Sequence, residues 1–505
     1  MGDVGGGGAR RAPVFVVLLA AVLAGLLAAG PAAAADRAWT DRALALQVEL
    51  ADDVPLRNAP WVSTHNSFNS IAEMGLALSA LDPNQQLTLV EQLDAGVRHL
   101  EIDVHPALAP LPELGLGAPT SCHTVCTLEK PFQTVLGEIG GWLRAHRDQV
   151  LLLYVESHLE STAGSHGYDA GARAIEATLG DLVHRPAGGG ARCAPLPLTV
   201  TRRQILAAGH QVLIFGPCGS GRAWPSWVHD ERGRLTGGDN GALREPPDCG
   251  PDFTRAQYEA NPVRYFEDRT IIGALTAGPD PIDAPLTRRM VRCGVDIIGL
   301  DQLTRDDPRR EALVWSWAPG QPAAGDCAVQ RPDGRWASRP CGERHRVACR
   351  DGAGRWTVPA TLASAATAPR ACRDPGTVNG VPRTGREGWL LQATAAGAGD
   401  VWLGLRQQDL RWRPSERGDC APALGDRDRP WRVRRGVATG VVRLRFPCTG
   451  ERLRRSIVVR GGRRTVRART DRRVRVAVGR RTRRLSVRFA YRGRTVRIAV
   501  ALRRG

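Results

Sequence analysis

Lysine is nearly absent from this chain of 505 residues. Lys130 is the single lysine, although lysine and arginine together number 70. We attribute this bias to GC-rich codon usage and assign it no chemical role. No C-x-x-C pair and no histidine–cysteine cluster occurs, which disfavours structural zinc. After residue 29, no apolar run approaches the ~20 residues that a transmembrane helix needs.

The first 35 residues have the pattern of a secretory signal peptide. Arg10 and Arg11 precede an apolar run at 14–29, and small residues suited to cleavage follow at 31–35. An uncleaved anchor is the alternative. The twelve cysteines are an even number and all follow this segment, as expected in an oxidising compartment. We therefore predict a secreted protein with disulfides, and local bridges fit three pairs that lie close in sequence: Cys122/Cys126, Cys193/Cys218 and Cys341/Cys349.

Positive charge is concentrated near the C-terminal end. From Trp431 onward there are 26 arginines and two acids, a net charge of +24. Because the whole chain carries +19, the residues before Trp431 carry −5. Arginine alternates there with valine, leucine or isoleucine, which predicts antiparallel strands with an apolar face and an arginine face. We predict a basic β-rich domain at 426–505.

The expected partner of this basic domain is an anionic surface, such as phospholipid headgroups or anionic wall polymers. Few aromatic residues interleave the arginines, which disfavours specific nucleic-acid binding. A solvated basic face without a partner is the alternative.

Residues 36–312 alternate short apolar runs with helical patterns. The predicted strands are 61–65, 97–105, 149–157, 211–216 and 295–300, and the predicted helices are 84–95, 131–146, 168–182, 201–208 and 284–293. This order predicts an α/β domain with a parallel sheet, and we expect the sheet to close into a TIM-like (β/α) barrel.

Residues 313–425 differ in character, with seven of the 13 tryptophans and five cysteines in loop-rich sequence. The stretches 315–322 and 389–405 faintly resemble parts of a C-type lectin-like domain. We favour a small β module stapled by disulfides over a sugar-binding domain.

Polar residues cluster where the first three predicted strands end. Glu101 and Asp103 share one face of their strand because side chains alternate. With Asn66 and Glu156 they offer three carboxylates and one amide oxygen, a set that suits Ca²⁺. Such an ion would offset the negative charge that develops on phosphorus during phosphodiester cleavage. For any one of these acids alone, a separate surface ion pair is the alternative.

Two histidines, His65 and His123, are expected to meet over the mouth of the barrel. Phosphodiester cleavage requires one group near the attacking hydroxyl and another that protonates the leaving alkoxide. A single histidine is weak evidence, but the pair beside an acidic set indicates this chemistry.

These motifs together resemble the X region of phosphatidylinositol-specific phospholipases C. The runs are THNSF (64–68), QLDAGVRHLEIDVH (92–105), CHT (122–124), VLLLYVESH (150–158) and CGVDIIGLDQL (293–303). The resemblance implies that His65 and His123 are catalytic and that Asn66, Glu101, Asp103 and Glu156 bind calcium. Metal-independent bacterial members carry arginine where Asp103 stands, so the resemblance also implies calcium dependence.

The expected function is calcium-dependent hydrolysis of phosphatidylinositol-type lipids to diacylglycerol and (cyclic) inositol phosphate by a secreted monomer. The alternatives are a glycerophosphodiester phosphodiesterase or sphingomyelinase D-like enzyme, and a surface-binding protein without activity. The residues that contact the headgroup are not evident, and Arg98, His158 and Arg269 are the candidates.

Overall fold

The computed structural model describes most of the chain beyond residue 30. The described residues are 31–74, 82–106, 118–123, 130–160, 165–187, 192–253, 263–269, 281–323, 325–374, 376–408, 411–414, 423–424, 431–445, 452–453, 456–462, 464–479, 481–491 and 494–504. They fall into two units, Met1–Gln321 and Pro322–Gly505, which are described separately below. Among the described residues, no helix has the length and apolar character needed to cross a bilayer.

The first unit is built on a parallel sheet of eight strands. They are β1 (Trp61–Thr64), β2 (His99–Val104), β3 (Leu151–Ser157), β4 (Val212–Gly216), β5 (His229–Asp230), β6 (Leu235–Gly237), β7 (Val263–Glu267) and β8 (Ile297–Leu300). Their order across the sheet is β5-β4-β3-β2-β1-β8-β7-β6. Strand β1 pairs with both β2 and β8, so the first and last strands of the sheet are neighbours, as in a barrel. The predicted TIM-like fold is therefore confirmed as an open barrel, since β5 and β6 do not pair within the described residues.

Helices pack around this sheet. They are α1 (Pro31–Leu50), α2 (Ile71–Met74), α3 (Leu89–Asp94), α4 (Phe132–Ala145), α5 (Ser165–Leu179), α6 (Arg202–Ala207), α7 (Ala284–Cys293) and α8 (Pro308–Leu313). Short 3₁₀ turns lie at Leu56–Asn58, Gly180–Leu182, Trp224–Ser226, Asn240–Ala242 and Pro251–Phe253.

One helix is shorter than predicted. The sequence predicts a helix over 84–95, but α3 begins at Leu89 because Thr88 caps it. The Thr88 side chain accepts from the backbone N–H of Glu91, and the Glu91 carboxylate accepts from the backbone N–H of Thr88. Asn84 and Gln85 lie outside the helix, so their side chains are available to the strand ends.

Alternate strand residues point into the barrel, as the period of two requires. Near the amino ends of the strands, these inward residues form an apolar core that includes Trp61, Leu152, Leu213, Val263 and Ile297. Towards the carboxyl ends they become polar: Glu101 and Asp103 are both buried on β2. The change from apolar to polar along the interior places the polar chemistry at one rim.

The middle of the chain forms small sheets in the second unit. The elements are β9 (Cys327–Gln330), β10 (Trp336–Arg339), β11 (Arg346–Val347), β12 (Cys349–Arg350), β13 (Trp356–Thr357), β14 (Val378–Asn379), α9 (Gly385–Thr394), β15 (Val401–Gln408), β16 (Arg411–Pro414) and β17 (Ala423–Leu424). A 3₁₀ turn lies at Ala368–Arg370. Trp336, Trp356 and Trp402 are buried, so these three rings serve as core rather than as exposed platforms for sugar.

The basic segment forms the strands that its alternation predicts. They are β18 (Trp431–Arg434), β19 (Val437–Val441), β20 (Leu444–Arg445), β21 (Arg452–Leu453), β22 (Ser456–Gly461), β23 (Arg464–Arg469), β24 (Arg473–Ala477), β25 (Arg484–Tyr491) and β26 (Arg494–Arg504). Seven of them form one sheet in the order β23-β22-β25-β26-β18-β19-β24. The pairing is antiparallel except between β18 and β26, which are parallel. Val433, Val459, Val474, Val476 and Val487 belong to its buried core.

The cysteine predictions have mixed outcomes. The Cys193–Cys218 disulfide is confirmed. The proposed Cys341/Cys349 pair is wrong, because strand β10 places Arg339 opposite Cys327 and so brings Cys341 to Cys327. The other disulfides among the described residues are Cys249–Cys293 and Cys349–Cys372. Cys122 is disulfide-bonded, but its predicted partner Cys126 lies outside the described residues.

Most of the predicted signal peptide also lies outside the described residues, since these begin at residue 31. Residues 31–35 form the start of α1. The structure therefore leaves the prediction of a signal peptide as it stands.

A prediction follows from the close packing of β4 against β3. A Cβ atom on Gly216 would lie 2.2 Å from the carbonyl oxygen of Val155, a backbone atom beside Glu156. Gly216→Ala should therefore destabilise the first unit by about 1–3 kcal/mol and lower the midpoint of thermal unfolding. The matched control is Gly137→Ala in α4, where a Cβ meets nothing within 4 Å and alanine should stabilise the helix by about 0.5–1 kcal/mol. Equal midpoints for the two variants would contradict this account.

Candidate active site

The six predicted site residues lie at the carboxyl ends of the first three strands or just after them. Glu101 and Asp103 are on β2, and Glu156 is on β3. Asp103 and Glu156 are direct partners in the parallel register, so their side chains point the same way. The other three are His65 and Asn66, which follow β1, and His123, which lies beyond β2. The structure brings all six together at one rim.

Three carboxylates form the centre of this rim. Oxygens of Glu101, Asp103 and Glu156 all lie within 4.8 Å of one another. Burial, with the charges of Glu267, Asp103 and Glu156, raises the pKa of Glu101 well above its usual range, although His65 opposes the shift. Burial and the charge of Asp103 also raise the pKa of Glu156. Bare carboxylates at this spacing repel one another, and a divalent cation would relieve that repulsion.

The spacing of these oxygens fits a single calcium ion. Ligand oxygens bind Ca²⁺ at about 2.3–2.6 Å, so two ligands of one ion lie no further apart than about 5 Å. The Glu101, Asp103 and Glu156 oxygens satisfy that limit. These residues, with Asn66, are therefore able to hold such an ion.

Asn66 provides a second test of this fit. Its backbone adopts the left-handed region with φ +43°, which asparagine tolerates, and its side chain is buried. Its partners assign the amide orientation: with the nitrogen towards Asp103 it donates to both carboxylate oxygens at 2.9 Å, and the amide oxygen accepts from His65 and His123. Turning the amide by 180° would put its oxygen at this position, where only a cation could stabilise three adjacent oxygens. The nitrogen would then lie 3.3 Å from His65 Nε2 and 3.2 Å from His123 Nδ1. Asn66 thus suits both states of the site.

His65 is oriented by an acid that sequence reasoning missed. Its Nδ1 lies 3.3 Å from Asp301 Oδ2, and Asp301 directly follows β8. Asn84 donates to Asp301 Oδ1 at 3.1 Å, and Gln85 donates to the carbonyl oxygen of His65 at 2.6 Å. Burial lowers the pKa of His65, but Asp301, Glu101 and Glu267 together raise it well above its usual value. Placing the proton on Nδ1 leaves Nε2 to face the carboxylate cluster.

His123 approaches the cluster from the other side. Its Nδ1 lies 3.3 Å from Asp103 Oδ2 and 3.2 Å from the Asn66 amide. Since the same amide lies 3.3 Å from His65 Nε2, one small group contacts both imidazoles. The two histidines therefore meet at the Asn66 side chain.

Strand β7 contributes two further residues that sequence reasoning missed. The hydroxyl of the half-buried Tyr265 donates to Glu101 Oε2 at 2.9 Å and also contacts the Glu267 carboxylate. Glu267 lies 3.9 Å from His65 Nε2. Residues 263–267 were not predicted as a strand, so the acid at their end gave no signal. Asp301, in contrast, follows the predicted strand 295–300 in the same way that Glu156 ends 149–157, and that parallel could have identified it.

The candidates for headgroup contact separate into two groups. Arg98 is excluded: it precedes β2, its guanidinium donates to the carbonyl oxygens of Leu93 and Val97, and it stacks on Trp142. These contacts hold it at the amino end of the sheet, away from the site. His158 lies at the rim, with Nε2 3.1 Å from Glu156 Oε1. Arg269 follows β7 at the same rim and is exposed.

The fold and this cluster define a barrel protein with a carboxylate–imidazole site at the carboxyl ends of its strands. The family described as the Rv2075c PI-PLC-like domain matches residues 22–307, more than half of the chain. The chain belongs to this family. Two relatives named as uncharacterized proteins, Rv2075c and MT2135, come from two strains of Mycobacterium tuberculosis. Each is 39% identical over 399 residues, which is 73% of this chain and 80% of the relative.

Solved structures of similar proteins include a phosphatidylinositol-specific phospholipase C from Listeria monocytogenes. It is 12% identical, with a TM-score of 0.34 over 52% of this chain and 94% of that chain. A calcium-dependent phosphoinositol-specific phospholipase C from Pseudomonas sp. is 10% identical, with a TM-score of 0.30 over 50% of this chain and 94% of that chain. At this distance no residue role is transferred from either structure.

A prediction tests the cation site without any assay of activity. Calcium should raise the midpoint of thermal unfolding by several degrees, since a ligand at 100 times its Kd stabilises the folded state by about 2.7 kcal/mol. Asp103→Asn should abolish the calcium-induced shift, whereas Glu176→Gln, at an exposed acid on α5, should retain it. An unchanged shift in Asp103→Asn would place the ion elsewhere, and no shift in the unaltered protein would argue against a calcium site.

Proposed function

We propose that the protein is a secreted, calcium-dependent phosphoric diester hydrolase that cleaves phosphatidylinositol-type lipids to diacylglycerol and (cyclic) inositol phosphate. The observation that carries this proposal is that the Asn66 amide contacts both imidazoles and the Asp103 carboxylate, whose oxygens lie within 4.8 Å of those of Glu101 and Glu156. Membership of the PI-PLC-like family supports the reaction type. The disulfides support secretion, because such bonds persist in oxidising compartments.

His65 is suited to remove the proton from the attacking hydroxyl of the inositol ring. Asp301 at Nδ1 orients the ring, so that Nε2 would accept the proton once a bound cation offsets the charge of the neighbouring acids. The neighbouring acids favour the imidazolium that results, which then stabilises negative charge on the phosphate oxygens. The hydroxyl oxygen bonds to phosphorus as the bond to the diacylglycerol oxygen breaks.

His123 is suited to protonate that departing oxygen. Its Nδ1 is held by Asp103 and Asn66, which fixes the direction of the opposite ring nitrogen. When bound, the calcium ion supplies positive charge that lowers the pKa of the attacking hydroxyl and offsets the charge of the phosphate. Glu101, Asp103, Glu156 and Asn66 would hold it. Water can then open the cyclic phosphate with the two histidines in exchanged roles.

Removing either histidine should lower kcat sharply. We expect His65→Ala and His123→Ala each to reduce the release of inositol phosphate from phosphatidylinositol about 10²–10⁴-fold in calcium, because each variant loses a proton-transfer group. His146→Ala, at an exposed histidine beyond α4, is the control and should remain active. Near-full activity in either test variant would refute the assignment.

A substrate panel would distinguish the proposed activity from that of a glycerophosphodiester phosphodiesterase or a sphingomyelinase D-like enzyme. Phosphatidylinositol, a glycerophosphodiester and sphingomyelin would be offered to the unaltered protein with calcium or with magnesium. Turnover of the second or third substrate without the first would replace the proposed substrate.

Asp301 is proposed as a positioning residue for His65. Asp301→Asn keeps the shape of the side chain but removes the charge that favours the Nδ1 proton, so kcat should fall about 10²–10⁴-fold while KM stays nearly constant. The control Asp53→Asn, at an exposed acid paired with Arg203, should leave both constants unchanged. A rise in KM at unchanged kcat would instead place Asp301 in substrate binding.

A further inference from the structure

The strands of the basic sheet present a set of aligned arginines that the proposed reaction does not use. Arg432 on β18 is the register partner of both Thr439 on β19 and Arg503 on β26. Thr439 is in turn the partner of Arg475 on β24. Residues paired in this way point to the same face of a sheet. A row of three arginines therefore crosses four neighbouring strands, which lie about 4.8 Å apart.

Two more arginines extend this row along the strands. Arg434 and Arg473 lie two residues from Arg432 and Arg475, on the same face because side chains alternate. All five side chains are exposed. The intervening Val433, Val474 and Val476 are buried in the core on the opposite face. We call Arg432, Arg434, Arg473, Arg475 and Arg503 the arginine face.

In the described part of the basic segment, no acid pairs with this face. Asp471 is the one carboxylate side chain in the described part of 431–504, and it lies in the turn before β24. Within the described residues, no salt bridge reaches any of the five arginines. Five like charges held together on a rigid sheet repel one another, and the repulsion is relieved when they meet a negatively charged surface.

We propose that the arginine face binds the surface of an anionic phospholipid bilayer. An array of outward arginines on one face of a sheet suits many headgroup phosphates that are free to move, rather than one fixed ligand. Single-stranded nucleic acid is disfavoured, because Trp431 and Phe489 are buried in the core and offer no stacking surface. Binding by this face does not depend on the proposed hydrolysis.

The test is co-sedimentation of the full chain with two kinds of vesicle. One is phosphatidylcholine alone, and the other also contains about 30% phosphatidylglycerol, which makes its surface anionic. Phosphatidylglycerol lacks inositol, so binding is measured apart from the proposed reaction. The unaltered protein should bind the anionic vesicles and be released by raised salt. Replacing all five arginines of the face with glutamine should weaken binding about 10³-fold, because each of the five basic residues near an anionic leaflet contributes about fivefold.

The matched control removes five charges from the other unit. Its exposed arginines Arg42, Arg57, Arg147, Arg173 and Arg222 are replaced with glutamine, so both variants have the same net charge. Circular dichroism checks that both retain their fold. Equal weakening by the two variants, or equal binding to the two kinds of vesicle, would overturn the proposal. Tighter binding to a duplex DNA oligonucleotide than to vesicles, at equal phosphate and salt, would overturn it in favour of nucleic acid.

Discussion

Burial of carboxylates side by side is the constraint on which the first unit depends. The parallel register makes Asp103 the partner of Glu156, and alternation puts Glu101 on the same face. Each neighbouring element then supplies a group that tolerates or offsets this charge: an amide from the turn after β1, a phenol from β7 and imidazoles from two loops. Without such partners, charge at this depth would be neutralised by protonation.

The same constraint links distant parts of the chain. Asp301 follows the last strand, yet it contacts His65 after the first strand because β1 and β8 are hydrogen-bonded neighbours. Asn84 and Gln85 reach this contact only because the Thr88 cap delays the start of α3. The pairing of β1 with β8 and the capping of one helix therefore decide whether an imidazole is held in place.

Much of this site could be predicted from the sequence because its motifs lie on long apolar strands with strict alternation. Glu101, Asp103 and Glu156 are of that kind. Tyr265 and Glu267 could not be, since their strand interrupts its apolar residues with charge. The signal peptide predicted at 1–35 remains untested. The Cys341/Cys349 pair was wrong because a hairpin, rather than distance along the chain, decided which cysteines meet. Local periodicity thus predicted individual strands and helices. The contacts between them depend on how the strands pair, which the sequence pattern does not give.

The parallel pair β18–β26 has a consequence for how the basic sheet is completed. Strand β26 lies between β25 and β18 and is hydrogen-bonded to both, so it joins two halves of the sheet. The half containing β18, β19 and β24 cannot pair with the other half through β26 until residues 494–504 have been synthesised. A premature stop or a proteolytic cut before residue 494 would remove the hydrogen bonds that join the two halves and would uncover part of their shared apolar core. The sheet is therefore completed only by its last strand, and a chain that lacks this strand would expose apolar surface of the kind that chaperones and proteases bind.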